Sequence, residues 1–279
     1  MAKQSELDGS QDIEKRSVSV DSQTDINTPA QHKNEWDRPR IIELVGPPGS
    51  GKTTVTEILK TKNKNVSVEI FPFINNRKDL PFFALNLMRL TPDIFHFFLN
   101  AKGKRFPAKR DIALMTILTG WNLTLKKITS SNDQMVILEE GAICLLAKLN
   151  GFGSDVLRET CAAGWWHKTN RKWAHTLDMV IVLDTPNDVL LKRIRSRELQ
   201  YEIKNMPNEE AHQYLAQIQE AETHAISNLK DEEDGPAVFH LSTLDKSPDQ
   251  IATEINNILC SGSFHSRHND YEKPEKSVA

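Results

Sequence analysis

The sequence predicts an α/β protein built on a parallel sheet, on three observations. Five short runs of apolar residues have strand length, stretches of helical periodicity separate them, and a glycine-rich loop joins the first run to the first helix. Ile41-Ile42-Glu43-Leu44-Val45 is the first strand. The loop Gly46-Pro47-Pro48-Gly49-Ser50-Gly51-Lys52-Thr53 follows, and Thr54–Thr61 continues as a helix with Val55, Ile58 and Leu59 on one face. The second strand is Val66–Phe71, and several helices fill the stretch between Pro81 and Ile128. Met135–Glu139 and Met179–Asp184 are the third and fourth strands. A helix over roughly Pro186–Gln200 and another over Asn208–Leu229 lead to the fifth, Ala237–Leu241, and Ser247–Leu259 closes the domain. Four of the five strands are nearly continuous apolar runs, as strands covered on both faces require.

Composition sets the class. The chain has 279 residues, 38% hydrophobic and 26% charged, with a net charge of −3. That charge supplies no field to attract nucleic acid or an anionic membrane. Cys144, Cys161 and Cys260 are widely spaced and form no C-x-x-C pair, so reduced thiols in a reducing compartment are expected. The N-terminus has no apolar stretch that reads as a signal peptide, and the most apolar long segment, Leu80–Leu99, is interrupted by Arg89, Pro92, Asp93 and His96. A cytoplasmic protein that spans no membrane is the expectation. Residues 1–37 and 262–279 are polar and aperiodic and read as disordered tails around one domain, 38–261.

The loop carries the chemistry. Gly46 to Thr53 fits G-x-x-x-x-G-K-[ST], the phosphate-binding P-loop, in its required strand–loop–helix setting. Its glycines let backbone N–H groups turn toward phosphate oxygens, and the helix start adds its positive dipole end. Lys52 is expected on the β- and γ-phosphates of ATP and Thr53 on Mg²⁺, with Gly46 through Thr54 as the nucleotide-binding set.

Other charged residues extend the site. Glu139, at the tip of the third strand, suits a magnesium-holding carboxylate, and Glu140 is a weaker case for the same role. Glu69, late in the second strand, reads as a general base for an acceptor hydroxyl or as an outward-facing strand residue. Asp184-Thr185-Pro186 reads as a structural helix start with Thr185 at the N-cap. In the helix after it, Arg193 and Arg197 are one turn apart, so both would share a face and neutralise charge on a transferring phosphoryl group. Trp165, Trp166 and Trp173, with Arg171 and Lys172, read equally as an acceptor clamp or as core anchors. No His, Cys and carboxylate cluster has metal-ligand spacing.

Taken in order, the P-loop, the late acid of the second strand, Leu138-Glu139-Glu140-Gly141, Leu183-Asp184-Thr185-Pro186 and the basic helix Leu190–Arg197 resemble the thymidylate kinase and deoxynucleoside kinase group of P-loop phosphotransferases. The resemblance covers about Pro39 to Leu259 and is strongest to thymidylate-kinase-like P-loop proteins. It implies a P-loop NTPase three-layer sandwich: a five-stranded parallel sheet, a helical acceptor-binding part and a lid. It implies Mg-ATP as donor, a nucleoside or nucleoside monophosphate as the small-molecule acceptor, and compatibility with a homodimer. Lys52, Thr53, Glu139, Arg193 and Arg197 occupy the matching positions, the two arginines closing from the lid. The families place an arginine directly after the third-strand acid, and this chain has Glu140 there. The rival readings are a nucleotide-binding switch or NTPase without a phosphoryl acceptor, a nucleic-acid-coupled NTPase, and a sulfotransferase. The complete Gly51-Lys52-Thr53 ending favours a nucleoside triphosphate over the last of these.

Overall fold

Five parallel strands run side by side in the order β2-β3-β1-β4-β5. The computed structural model describes residues 41–69, 71–72, 76–103, 106–132, 135–197 and 202–260. The two terminal segments read as tails, 1–37 and 262–279, lie outside the described residues, as does Ile70. The elements are β1 (Ile41–Val45), α1 (Lys52–Lys62), β2 (Val66–Glu69), α2 (Leu80–Asn100), α3 (Lys109–Asn132), β3 (Met135–Leu138), α4 (Ala142–Phe152), α5 (Ala163–Ala174), β4 (Met179–Asp184), α6 (Asn187–Ser196), α7 (Asn208–Lys230), β5 (Ala237–Ser242) and α8 (Pro248–Cys260).

Strand alternation sorts the core into two layers. Ile42 and Leu44 of β1, Ile137 of β3 and Ile181 of β4 pack on one face against Val55 and Leu59 of α1 and Ile251 and Ile255 of α8. Ile41 and Val45, Val136 and Leu138, and Val180 face the opposite layer, where α3, α4, α5 and α7 lie. Both faces are therefore covered, which accounts for the unbroken apolar strands. β1 is central, paired with β3 on one side and β4 on the other. Its carboxyl end, where the P-loop leaves, opens into the crevice between its neighbours' ends, as ligand sites of open α/β sheets do.

The helices α4 and α5 are additions to the sequence expectation. α4 is almost wholly buried, with Ile143, Leu145, Leu146 and Leu149 at 1% exposure or less. A helix covered on most sides has no polar face and so no amphipathic period to read. In α5 the buried residues Trp165, Thr169 and Trp173 recur every fourth position. Trp173 Nε1 donates to Leu118 O at 3.0 Å and Trp166 Nε1 to Leu157 O at 2.8 Å. These indoles are core anchors with satisfied N–H groups, and the acceptor-clamp alternative falls away. Lys172 reaches over the same core to Thr119 O.

Two helix boundaries also differ. Thr185 does not cap α6, because its hydroxyl is buried against Thr243 Oγ1 at 2.6 Å, and Pro186 takes the cap position. α6 stops at Ser196, short of Gln200. The Ser196 hydroxyl bonds back to Arg193 O at 2.9 Å, a local alternative to helix continuation.

Candidate active site

The P-loop is held from behind. Gly49 has φ +88°, and a Cβ there would lie 3.1 Å from Ile194 Cγ1 and 3.2 Å from Leu190 O. Only glycine allows α6 to pack this closely on a loop in that conformation. Arg193 reinforces the same contact, its guanidinium reaching Gly49 O, Thr243 Oγ1 and Thr243 O, each at 3.4 Å. Arg193 therefore braces the back of the loop and does not line the cavity in front of it. Arg197 does line that cavity. The sequence expectation of two arginines on one helix face is corrected: Arg197 follows the end of α6 with extended backbone, φ −83° and ψ 151°.

In front of the loop lies a cavity of about 570 Å³. Gly46, Pro48, Gly49, Gly51, Lys52 and Thr53 form its floor. Of the remaining predicted nucleotide-binding residues, Pro47 borders a second, smaller cavity, Ser50 is buried with its hydroxyl unpaired, and Thr54 is exposed. Lys52 Nζ folds back onto the carbonyl oxygens of Gly46 and Pro47. Its ammonium thus stands at the mouth of the loop, where an anion would replace these carbonyls as its partner.

Glu139 is tied to α1 by both oxygens. Thr53 Oγ1 donates to Oε2 at 2.8 Å, and Thr56 Oγ1 donates to Oε1. A hydroxyl and a carboxylate in contact beside a phosphate loop match a magnesium ion's preference for few protein oxygens, with water and phosphate completing its octahedron. The residues fit the ion.

The far wall comes from α3, α4 and α7. Leu114, Ala147, Phe152, Tyr214, Ile218 and Ala221 make it largely apolar. The rings of Phe152 and Tyr214 lie 5.6 Å apart at 50°. Arg110 and Lys148 add positive charge, and Glu140 and Glu222 add negative charge. Lys148 Nζ pairs with Glu140 Oε2 at 3.2 Å. Burial pushes the Cys144 thiol up to about 11, so it stays protonated and unreactive in the wall. Glu69 is not among the lining residues. Register with Leu138 puts it on edge strand β2. Burial raises its carboxyl above the ordinary range while Lys60 opposes the shift.

Three buried acids escaped the sequence reading: Asp111, whose carboxylate accepts the Ser154 N–H at 2.8 Å, and Glu43 and Glu222. Glu43, in the middle of β1, is fully buried and accepts the backbone N–H groups of Ile143 at 3.0 Å and Cys144 at 3.1 Å. It caps α4 from across the layer, and Gly141 leaves it room: a Cβ at Gly141 would be 2.4 Å from Glu43 Cδ. Burial pushes its carboxyl up to about 7 despite those N–H groups. Glu222, on α7, is 8% exposed and is pushed up to about 7 by burial, with Lys52 and Lys148 pulling the other way. An acid inside a strand otherwise apolar was the available signal for Glu43. Glu222, on a long polar helix, offered none.

Three solved structures align over most of the chain. The thymidylate kinase of Candida albicans matches at 17% identity over 82% of this chain and 94% of its own, with a TM-score of 0.49. Shikimate kinase from Acinetobacter baumannii in complex with shikimate matches at 16% over 82% and 97%, TM-score 0.42. Deoxyadenosine kinase from M. mycoides with bound dATP matches at 14% over 78% and 98%, TM-score 0.45. No curated protein sequence matches the chain. The family model described as an AAA domain matches residues 42–215, from β1 and the P-loop through α6 into α7, and the chain belongs to that family.

Proposed function

We propose that the chain is a small-molecule kinase, moving the γ-phosphoryl group of Mg-ATP to an acceptor of nucleoside or nucleoside monophosphate size. One observation carries this reading. The cavity in front of the P-loop is also lined by Phe152, Tyr214 and Ile218, on the wall facing the phosphate floor. A ring-bearing wall in the same cavity as the phosphate floor favours a second small-molecule substrate beside the triphosphate.

Backbone N–H groups of Gly49 to Thr53 and the Lys52 ammonium hold the triphosphate. Thr53 and Glu139 hold Mg²⁺, which when bound offsets phosphate charge. Arg197, which lines the cavity, would meet charge that builds on the transferring group. The chemistry asked of the chain is positioning and charge compensation. No described helix is long and apolar enough to cross a membrane, and both substrates on this reading are small and water-soluble.

Lys52→Ala tests it. The variant should bind Mg-ATP at least ten times more weakly by calorimetry and lose ADP formation by about 100-fold or more. Its melting temperature should stay close to that of the parent. Undiminished turnover in a folded variant refutes the kinase reading.

A further inference from the structure

Thr56 lies beyond the P-loop motif and does not line the cavity, yet it holds Glu139, one of the two residues read as the magnesium pair. It follows Thr53 by one turn of α1, on the same face, and is fully buried. Its hydroxyl has one hydrogen and three oxygens within reach: Lys52 O at 3.1 Å, Thr53 O at 2.9 Å and Glu139 Oε1. Thr61, Thr116 and Thr253, in other turns and helices, give theirs to the carbonyl four residues back. At Thr56 that outlet competes with a carboxylate, and an ionised acceptor makes the stronger bond. A residue needed only for packing there could be valine, which has the same shape and no hydroxyl.

We propose that Thr56 is a positioning residue for the metal. By occupying Glu139 Oε1 it leaves the carboxylate only Oε2 to offer, beside Thr53 Oγ1, and so makes the site select Mg²⁺ over Ca²⁺. This rests on the reading of Thr53 and Glu139 as the magnesium pair. The two threonines grip the carboxylate like a fork, Thr53 Oγ1 on Oε2 at 2.8 Å and Thr56 Oγ1 on Oε1. Both prongs belong to one helix, so the carboxylate is fixed relative to the P-loop, whose last two residues, Lys52 and Thr53, begin that helix. Magnesium takes few protein oxygens in strict octahedral geometry and keeps its waters. Calcium is larger, accepts more oxygens in looser geometry and readily takes both oxygens of one carboxylate. A two-oxygen grip on a cation would require Glu139 Oε1 to give up Thr56. Removing the hydroxyl frees that oxygen and lets the carboxylate turn, which weakens the fit to magnesium and admits calcium.

The test uses the full chain and a non-hydrolysable ATP analogue in three forms: metal-free with a chelator, with Mg²⁺ and with Ca²⁺. Calorimetry gives the affinity of each form for wild type, Thr56→Val and Thr56→Ser, and melting temperature reports folding. Wild type should bind the magnesium form more tightly than the calcium form. Thr56→Val should lose about tenfold of the affinity that magnesium adds and narrow the preference for magnesium by roughly fivefold, with metal-free affinity within about twofold of wild type. Thr56→Ser keeps the hydroxyl and should restore both. With Glu139→Gln already in place, Thr56→Val should change the preference no further, because the two side chains act as one unit. Thr56→Ala takes the place of Thr56→Val where the latter does not fold. A preference that loss of the hydroxyl leaves within about twofold of wild type overturns the proposal. So does an equal loss in all three forms, the mark of a structural residue, and so does a serine variant that behaves as valine does. A wild type that gains nothing from magnesium removes the magnesium pair, and this inference with it. A magnesium gain that is the same in wild type and Thr56→Val removes this inference alone.

Discussion

Glu43 Oε2 accepts the backbone N–H of Ile143 at 3.0 Å, so a carboxylate in the central strand caps a helix a hundred residues later in the chain. The bond does more than fill one orphan donor. α4 carries Cys144, Ala147, Lys148 and Phe152 into the cavity wall, so the cap sets where that wall stands relative to the P-loop that leaves the same strand.

Glu43→Ala should therefore be strongly destabilising. It leaves two buried N–H groups without an acceptor and opens a hole beside Gly141. Each unsatisfied group costs about 1–3 kcal/mol. Equilibrium urea unfolding should show a loss of at least about 2 kcal/mol. Stability within 0.5 kcal/mol of the parent, a threshold of roughly the size of neutral surface changes, would falsify the capping role.

Glu222→Gln should gain stability, and the gain should depend on pH. Glu222 keeps its proton to about pH 7 in the folded chain, against about 4.5 for an unhindered glutamate. Between those values the folded state binds more protons than the unfolded one, so wild-type stability falls as pH rises through that window. Glutamine does not titrate. The variant's advantage over wild type should be small below pH 4.5 and grow to on the order of 3 kcal/mol above pH 7. Paired urea titrations at pH 4.5, 6 and 8 measure it, and an advantage that shrinks with rising pH contradicts the buried-acid account.

Arg193 and Arg197 should separate cleanly. Arg193→Ala removes the contacts to Gly49 O and Thr243, and should lower stability by about 1–3 kcal/mol and loosen Mg-ATP binding. Arg197→Ala, at the cavity rim, should leave the melting temperature within 2 °C, a shift of roughly under 1 kcal/mol, and lower kcat more than it raises KM. Equal effects of the two substitutions on melting temperature and kcat would show that the arginines act as one pair after all.

What the sequence determined by itself is local. The five strands, the P-loop and the helix after it are each specified by residues within a dozen positions of one another, through alternation, continuous apolarity and the fixed spacing of glycine, lysine and threonine. Glu139 was legible as an acid at a strand tip, and the pairing of β3 with β1 is what sets it against Thr53 of the P-loop. The tertiary structure decided the remainder. α4 hid in a segment too apolar to show a period, and the tryptophans of α5 looked the same whether they clamp or anchor. Arg193 and Arg197 parted because α6 ends one residue before Arg197. Glu43 and Glu222 became visible only when α4 and α7 closed over the sheet. A buried acid is recognised by what surrounds it, and its surroundings come from segments far apart in the chain, brought together by packing that no local pattern encodes.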